Sequence, residues 1–272
     1  MNSVMTIRKH TRRAHAFVAF FKRTVFAICL GAAMGASPAA SAWDWGLGFR
    51  NSVTGSGTIK SETRAVSGFT GIALSLSGAV EIRQGATEGV TIETDDNLLP
   101  LIETAVENGT LKIRAATRGT SFATQKLKFV VHAKTIDSLA VAGSGEMHAE
   151  TLKTAALKTS IAGSGDIRIR SLDAGVLTVK IAGSGDFSAG GRAASLDASI
   201  AGSGDIDTAN LDTGSVEITI AGSGDARVWA RETLDVKVAG SGEVAYYGDA
   251  KVKKSIGGSG SIKRLGASPA GS

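Results

Sequence analysis

The sequence has one cysteine and three prolines in 272 residues. A single thiol excludes a disulfide scaffold and any zinc site built on cysteines. Scarce proline, with no Gly-X-Y period, excludes a collagen helix. Aromatic residues make up only 5% of the chain, so few rings are available to stack on nucleic-acid bases. The His-Glu-x-x-His and P-loop motifs are missing, and so is Gly-x-Ser-x-Gly. These are signatures of zinc peptidases, nucleotide-binding proteins and α/β-hydrolases respectively. No apolar run reaches the ~18 residues that would read as a membrane-spanning helix. Hydrophobic residues are nevertheless 43% of the total, enough to bury a core and to argue against wholesale disorder.

A formal charge of +5 invites a search for an anionic partner. The charge has a local source. Arg8, Lys9, Arg12, Arg13, Lys22 and Arg23 crowd the first 23 residues, which hold no acid. An apolar run follows over residues 24–34, then Ala-Ser-Pro-Ala-Ala-Ser-Ala ending at Ala42. A basic start, a short apolar stretch and an Ala-x-Ala site are the parts of a cleavable secretory signal. The run is too short for a membrane anchor. His15 does not suit a twin-arginine signal, and Ile28 before Cys29 does not suit a lipoprotein. Residues 1–42 are therefore read as a signal peptide, cut before Trp43. Its loss leaves 24 basic against 25 acidic residues, a net charge of −1, and no cysteine. The case for nucleic acid disappears with it.

Glycine is in excess, 35 of 272, nearly twice the usual ~7%. The excess is ordered. Gly-Ser-Gly begins at Gly143, Gly163, Gly183, Gly202, Gly222, Gly240 and Gly258, at spacings of 20, 20, 19, 20, 18 and 18. Two residues before each stands Val141, Ile161, Ile181, Ile200, Ile220, Val238 or Ile256. Apolar residues recur at every second position upstream, with Lys158, Lys180, Glu217 and Lys237 between them. Period two marks a strand with one buried face. The tripeptide marks a turn that glycine enters at φ > 0 without steric cost. Another short strand, such as Asp166–Arg170, follows the turn, then a Leu152 or Leu172 and a second turn near Asp173-Ala174-Gly175. A leucine-rich repeat would need its Leu-x-x-Leu-x-Leu signature, which is absent, and neither nonapeptide repeats nor propeller blades have this period. Hexapeptide repeats, the mark of left-handed helices, are missing. The reading is an all-β fold, a right-handed parallel β-helix with coils of about 20 residues. Like residues stack one rung apart into a core that no single coil can form.

The domain reading is a signal peptide at 1–42, an N-terminal segment at 43–63, a β-helix at 64–265 and a disordered tail at 266–272. Within the β-helix, 64–136 hold irregular coils and a lid, and 137–265 hold the regular repeats. Residues 97–105, with four large aliphatic side chains, are expected to supply one or two helical turns of the lid. Ser77-Gly78-Ala79 reads as a shortened corner. Gly55-Ser56-Gly57 echoes the corner too, but the sequence leaves open whether it joins the stack. At the far end Lys254 takes an inward position, a charge that blunts an exposed edge.

Six acids follow the tripeptides: Glu146, Asp166, Asp186, Asp205, Asp225 and Glu243. Stacked unit charges a rung apart repel by about 1 kcal/mol in water. Calcium between rungs would relieve this, but one carboxylate per rung is far from its six to eight oxygen ligands. The preferred reading is that each carboxylate accepts amide hydrogen bonds within its own turn. The serine ladder, Ser144 to Ser259, is likewise a turn device. His132 and His148 are the only histidines past the signal, and neither reads as the base of a triad. Arg168, Arg170, Arg227 and Arg231 with Asp186, Asp207 and Asp225 are the residues that a carbohydrate-active site would draw together. A solvated sheet face is the simpler account. Trp43, Trp45 and Phe49, and Trp229 with Tyr246 and Tyr247, suit either a contact patch or packing at the ends. No catalytic, cofactor-binding or metal-ligating residue is assigned.

Ala-Gly-Ser-Gly-Asp-Ile at 162–167 and 201–206, with Arg64-Ala-Val-Ser-Gly-Phe-Thr-Gly-Ile and Asp95-Asp-Asn-Leu-Leu-Pro-Leu-Ile-Glu upstream, resembles the "putative auto-transporter adhesin head GIN domain" family. The resemblance covers about residues 64–265. It implies a right-handed β-helix in an exported or envelope protein, in the periplasm, at the envelope or secreted. It supplies no established activity and no catalytic residues. No translocator barrel follows the last coil, a departure from the autotransporter part of the name. The expected function is a non-enzymatic, adhesin-like or structural binding module, with an envelope or extracellular protein or glycan as partner. The alternative is a carbohydrate-active β-helix, a polysaccharide lyase or hydrolase.

Overall fold

The computed structural model describes residues 52–269. The signal segment, the aromatic residues at 43–49 and the last three residues of the tail lie outside the described residues. The chain begins with β1 (Ser52–Thr54), β2 (Ile59–Arg64), β3 (Gly71–Leu74), β4 (Ala79–Gln84) and β5 (Gly89–Asp95). A 3-10 turn at Leu99–Leu101 leads to β6 (Ile102–Glu107), β7 (Thr110–Ala115), β8 (Ser121–Ala123), β9 (Lys128–Ala133) and β10 (Ser138–Gly143). Five long strands follow: β11 (Glu146–Gly163), β12 (Asp166–Gly183), β13 (Phe187–Gly202), β14 (Ile206–Gly222) and β15 (Ala226–Gly240). β16 (Glu243–Tyr247), β17 (Lys251–Gly258) and β18 (Ser261–Gly266) finish the chain.

Each long strand is one coil of a parallel β-solenoid. Ile161 pairs with Ile181, Ile181 with Ile200, Ile200 with Ile220 and Ile220 with Val238. All five are buried. The columns adjust to one another. Phe187 shares its coil with the inward Ala189, whereas the coil before it carries Ile167 and Ile169 in the same register. A large residue beside a small one keeps the volume of each layer near constant. The expected second turn shows as a one-residue gap in the pairing. Asp173 and Ala174 pair with Lys153 and Thr154, Gly175 pairs with neither neighbouring coil, and the ladder resumes at Val176. Each coil still counts as one strand of 15 to 18 residues.

The irregular N-terminal region is built as a cap. β3 pairs with β10 and β4 with the start of β11, both parallel, so residues 71–84 are a first, short coil. β7 lies parallel to β3, and β9 parallel to β4. Beyond them the direction reverses. β6 runs antiparallel to β7, β5 to β9 and β2 to β5. The expected helical lid is reduced to three residues. From Ile102 the chain is strand, because β6 finds ladder partners in β7 along its whole length. Leu98, Leu99 and Ile102 still close the core. Gly55-Ser56-Gly57 is no rung. It wraps the next turn instead: Gly57 N–H donates to Asp95 Oδ1 at 2.6 Å, Ser56 N–H to Asn97 Oδ1 at 2.9 Å and Ser56 Oγ–H to Asp96 at 2.6 Å. Ser77 does stack under Ser144, with hydroxyls 3.0 Å apart, so the shortened corner is real.

Candidate functional site

The Gly-Ser-Gly corner organises the most regular outer surface. The first glycine of each has φ between +103° and +138°, a range closed to other residues. The second glycine meets a different constraint. A Cβ on Gly165, Gly185, Gly204, Gly224 or Gly242 would lie 2.1–2.4 Å from a glycine carbonyl oxygen of the coil before. Backbones therefore approach closely at every rung. Serine amides keep the ladder in step, as Ser184 N–H donates to Gly163 O at 2.8 Å and Ser203 N–H to Gly183 O at 2.9 Å.

The acids after the corner do not serve their own turns. Asp166 Oδ1 accepts from the N–H of Asp186 at 3.1 Å, and Asp186 accepts from Asp205 at 3.1 Å. Asp205 accepts from Asp225 at 2.9 Å, and Asp225 from Glu243 at 2.8 Å. Each aspartate thus bonds the next coil rather than its own corner, which corrects the sequence expectation. Glutamate behaves otherwise. Above Glu146 the Asp166 amide goes to Gly145 O at 3.1 Å, and above Glu243 the Ser261 amide goes to Gly242 O at 3.2 Å. At both glutamate rungs the amide keeps a backbone carbonyl as acceptor, and the strand pairing begins one residue earlier. A hydrogen bond to a charged group nets roughly 1.5 kcal/mol or more, which offsets the ~1 kcal/mol repulsion between rungs. No group of three or more His, Cys, Asp or Glu among the described residues is placed to hold a metal.

Of the residues that a carbohydrate-active cluster needs, Asp207, Asp225 and Arg227 edge one hollow and Arg168, Arg170 and Asp207 another, while each arginine is held in an ion pair. Arg168 spans Asp166 at 2.8 Å and Glu146 at 3.6 Å. Arg170 pairs with Glu150 at 3.2 Å, Arg227 with Asp207 at 3.2 Å and Arg231 with Asp212 at 2.6 Å. Asp186 and Asp225 belong to the corner ladder. His148 Nε2 lies 2.8 Å from Glu150, and His132 sits within β9. Hydrogen bonds from His148 and Arg170 hold the Glu150 carboxyl below its ordinary value. A bidentate Arg192 brings Asp173 down to about 2. Two shallow hollows lie on the face after the corner. One, about 260 Å³, is edged by Asp205, Asp207, Asp225, Arg227 and Glu243. The other, about 350 Å³, lies over Gly190 and is edged by His148, Arg168, Arg170, Asp207 and Asn210. Trp229 and Tyr247 stand in register on adjacent coils, both half-buried. Tyr246 turns inward against the core, so the aromatic patch is two rings and not three.

Sequence reasoning missed two devices. Gly191 stands in the column of Leu172 and Leu211, at φ +107° and with no room for a Cβ beside Leu172 O. Asp95, Asp96 and Asn97 hold the early Gly-Ser-Gly. Three adjacent side chains of this kind were the available signal.

Parallel coils, paired-glycine corners and ladders of like residues define a parallel β-solenoid. The chain belongs to the family described as "putative auto-transporter adhesin, head GIN domain", whose model matches residues 68–250. A solved "putative adhesin" from Bacteroides fragilis NCTC 9343 is 27% identical, with a TM-score of 0.73, over 78% of this chain and 100% of that one. A "putative lipid binding protein" from Parabacteroides distasonis ATCC 8503 is 26% identical, with a TM-score of 0.67, over 79% and 100%. A "putative adhesin" from Parabacteroides merdae ATCC 43184, 20% identical with a TM-score of 0.64 over 79% and 99%, shares the fold. Among curated proteins none matches the chain. No helix among the described residues is long and apolar enough to cross a membrane.

Proposed function

We propose that this chain is an exported, non-enzymatic binding module of the cell envelope. It presents the lateral sheet face after the corner to an envelope or extracellular protein or glycan. The observation that carries the reading is the matching of outward charges in pairs along the ladder. Arg168, Arg170, Arg227 and Arg231 are each spent on an acid of the same or an adjacent coil. Such a face is a regular contact surface whose arginines are each neutralised by a neighbouring carboxylate. Family membership and the adhesin descriptions of its structural neighbours support the same reading. The lipid-binding description of one neighbour adds a lipid to the partners worth testing. Residues 1–42 are the signal peptide in this reading, and the mature chain starts at Trp43. The test is a glycan array joined to a reducing-end release assay and an affinity pull-down from the envelope fraction. Saturable binding without turnover is expected. Turnover of any polysaccharide would instead establish the alternative, a carbohydrate-active β-helix.

A further inference from the structure

The coil stack ends in an open edge. β17 pairs with β15, and β18 with β16, each along one side and with no further strand among the described residues. Every residue of β17 is exposed. Val252 (38%) and Ile256 (37%) continue the columns of Leu234 and Val238, which are covered to within a few per cent. Between them Lys254 stands over Val236, in a column that is apolar in the two coils before. Lys253 and Arg264 are occupied by Asp235 and Asp249. Lys251, Lys254 and Lys263 make no ion pair among the described residues.

An exposed strand edge is a template for an added strand. Lys254 decides which strand fits. A further copy of these coils would lay over it a residue of the same column, which is aliphatic at five of its other six rungs and threonine at Thr159. The ammonium would then be covered without a partner, which is costly. A carboxylate in that place would pair with it, while apolar residues two positions to either side would cover Val252 and Ile256. We propose that the open edge of β17 is a β-augmentation site for an extended segment of a partner protein, of the pattern apolar-x-acid-x-apolar. The group that rejects end-to-end stacking of like copies is the group that selects the acidic strand. Lys251 and Lys263 add attraction for the same charge. This site is at the end of the stack and does not depend on the lateral face.

The probe is a short labelled peptide with Val-Thr-Glu-Thr-Ile at its centre, and a twin with Lys for Glu, read by fluorescence anisotropy on the full mature chain. The acidic peptide is expected to bind at least about tenfold more tightly than its twin. Lys254→Gln should reduce that preference to the part due to Lys251 and Lys263, and Lys254→Glu should abolish or reverse it, with thermal stability unchanged because the side chain is exposed. Hydrogen exchange at amides 251–258 should slow when the acidic peptide binds. No binding, equal binding of the two peptides, or a preference untouched by Lys254→Glu would overturn the proposal. So would growth of the free protein into end-to-end oligomers, which would give the edge to a second copy. Binding of phosphatidylglycerol vesicles that Lys254→Glu abolishes, with no peptide binding, would give it to a lipid surface and overturn the proposal too.

Discussion

Replacing Gly204 with alanine tests the stacking of corners at a single methyl group. That methyl would lie 2.2 Å from the carbonyl oxygen of Gly185 and 2.9 Å from Ile181 Cγ2. Carbon and oxygen in the closest ordinary contacts stay about 3.3 Å apart, so the two rungs must part by roughly 1 Å. The oxygen belongs to backbone and has no rotamer by which to escape. Gly204 is not among the positive-φ glycines, so conformational strain adds nothing. Overpacking costs about 1–3 kcal/mol in ordinary cores, and a contact this short against backbone belongs at about 3 kcal/mol. For a chain of this size that lowers Tm by roughly 6–12 °C. The comparator is Gly85→Ala, where a Cβ meets nothing within 4 Å and φ is not positive. There the change should be slightly stabilising, through loss of unfolded-chain freedom. Urea denaturation followed by circular dichroism and by fluorescence measures both variants. Coincident curves license a single free energy for an array that is able to open in parts. If Gly204→Ala is no less stable than Gly85→Ala, close backbone approach is not what requires the second glycine.

Other consequences are smaller and separable. Asp205→Glu should move the Asp225 amide from the carboxylate to Gly204 O, as at the Glu146 and Glu243 rungs, with a stability change within about 1 kcal/mol. Asp205→Asn should keep the original bond. The Asp225 amide proton shift distinguishes the two, and an identical shift in both variants would show that side-chain length does not choose the acceptor. EDTA should leave Tm unchanged; a large fall reversed by calcium would mean that the acid ladder holds cations. The Asp173 carboxyl should titrate near 2 by NMR, since Arg192 holds it below the ordinary 3.8. A depressed carboxyl contributes stability that is present above its ordinary value and is lost as pH falls through about 2. Arg192→Ala should return the titration toward 3.8, and no movement would disprove the pairing.

The regular coils were legible because a solenoid repeats its solution. Val141 to Ile256 share a column, and each Gly-Ser-Gly fixes the corner of its own coil, so spacing alone sets the register. The N-terminal cap was not legible for an equally physical reason. Alternation in Val90–Thr94 and in Leu111–Arg114 fixes which face is buried, but period two is the same in parallel and antiparallel strands. Direction is set by what lies beside the strand. β6 is antiparallel because the two-residue link at Asn108-Gly109 folds it back onto β7, with Asn108 at φ +51° and Gly109 at φ +74°. That Asn-Gly pair is a strong hairpin signal, and it outranks the helical reading that the aliphatic residues of 97–105 suggest. The acid ladder was legible as a ladder and misread in its bonding. Asp and Glu are interchangeable in charge and differ in reach, and a charge pattern alone does not say which amide a carboxylate accepts from. At the far end the same logic runs the other way. Lys254 violates the apolar column within the sequence itself, and a violation inside an otherwise strict repeat marks the coil where the rule of stacking on a like neighbour stops.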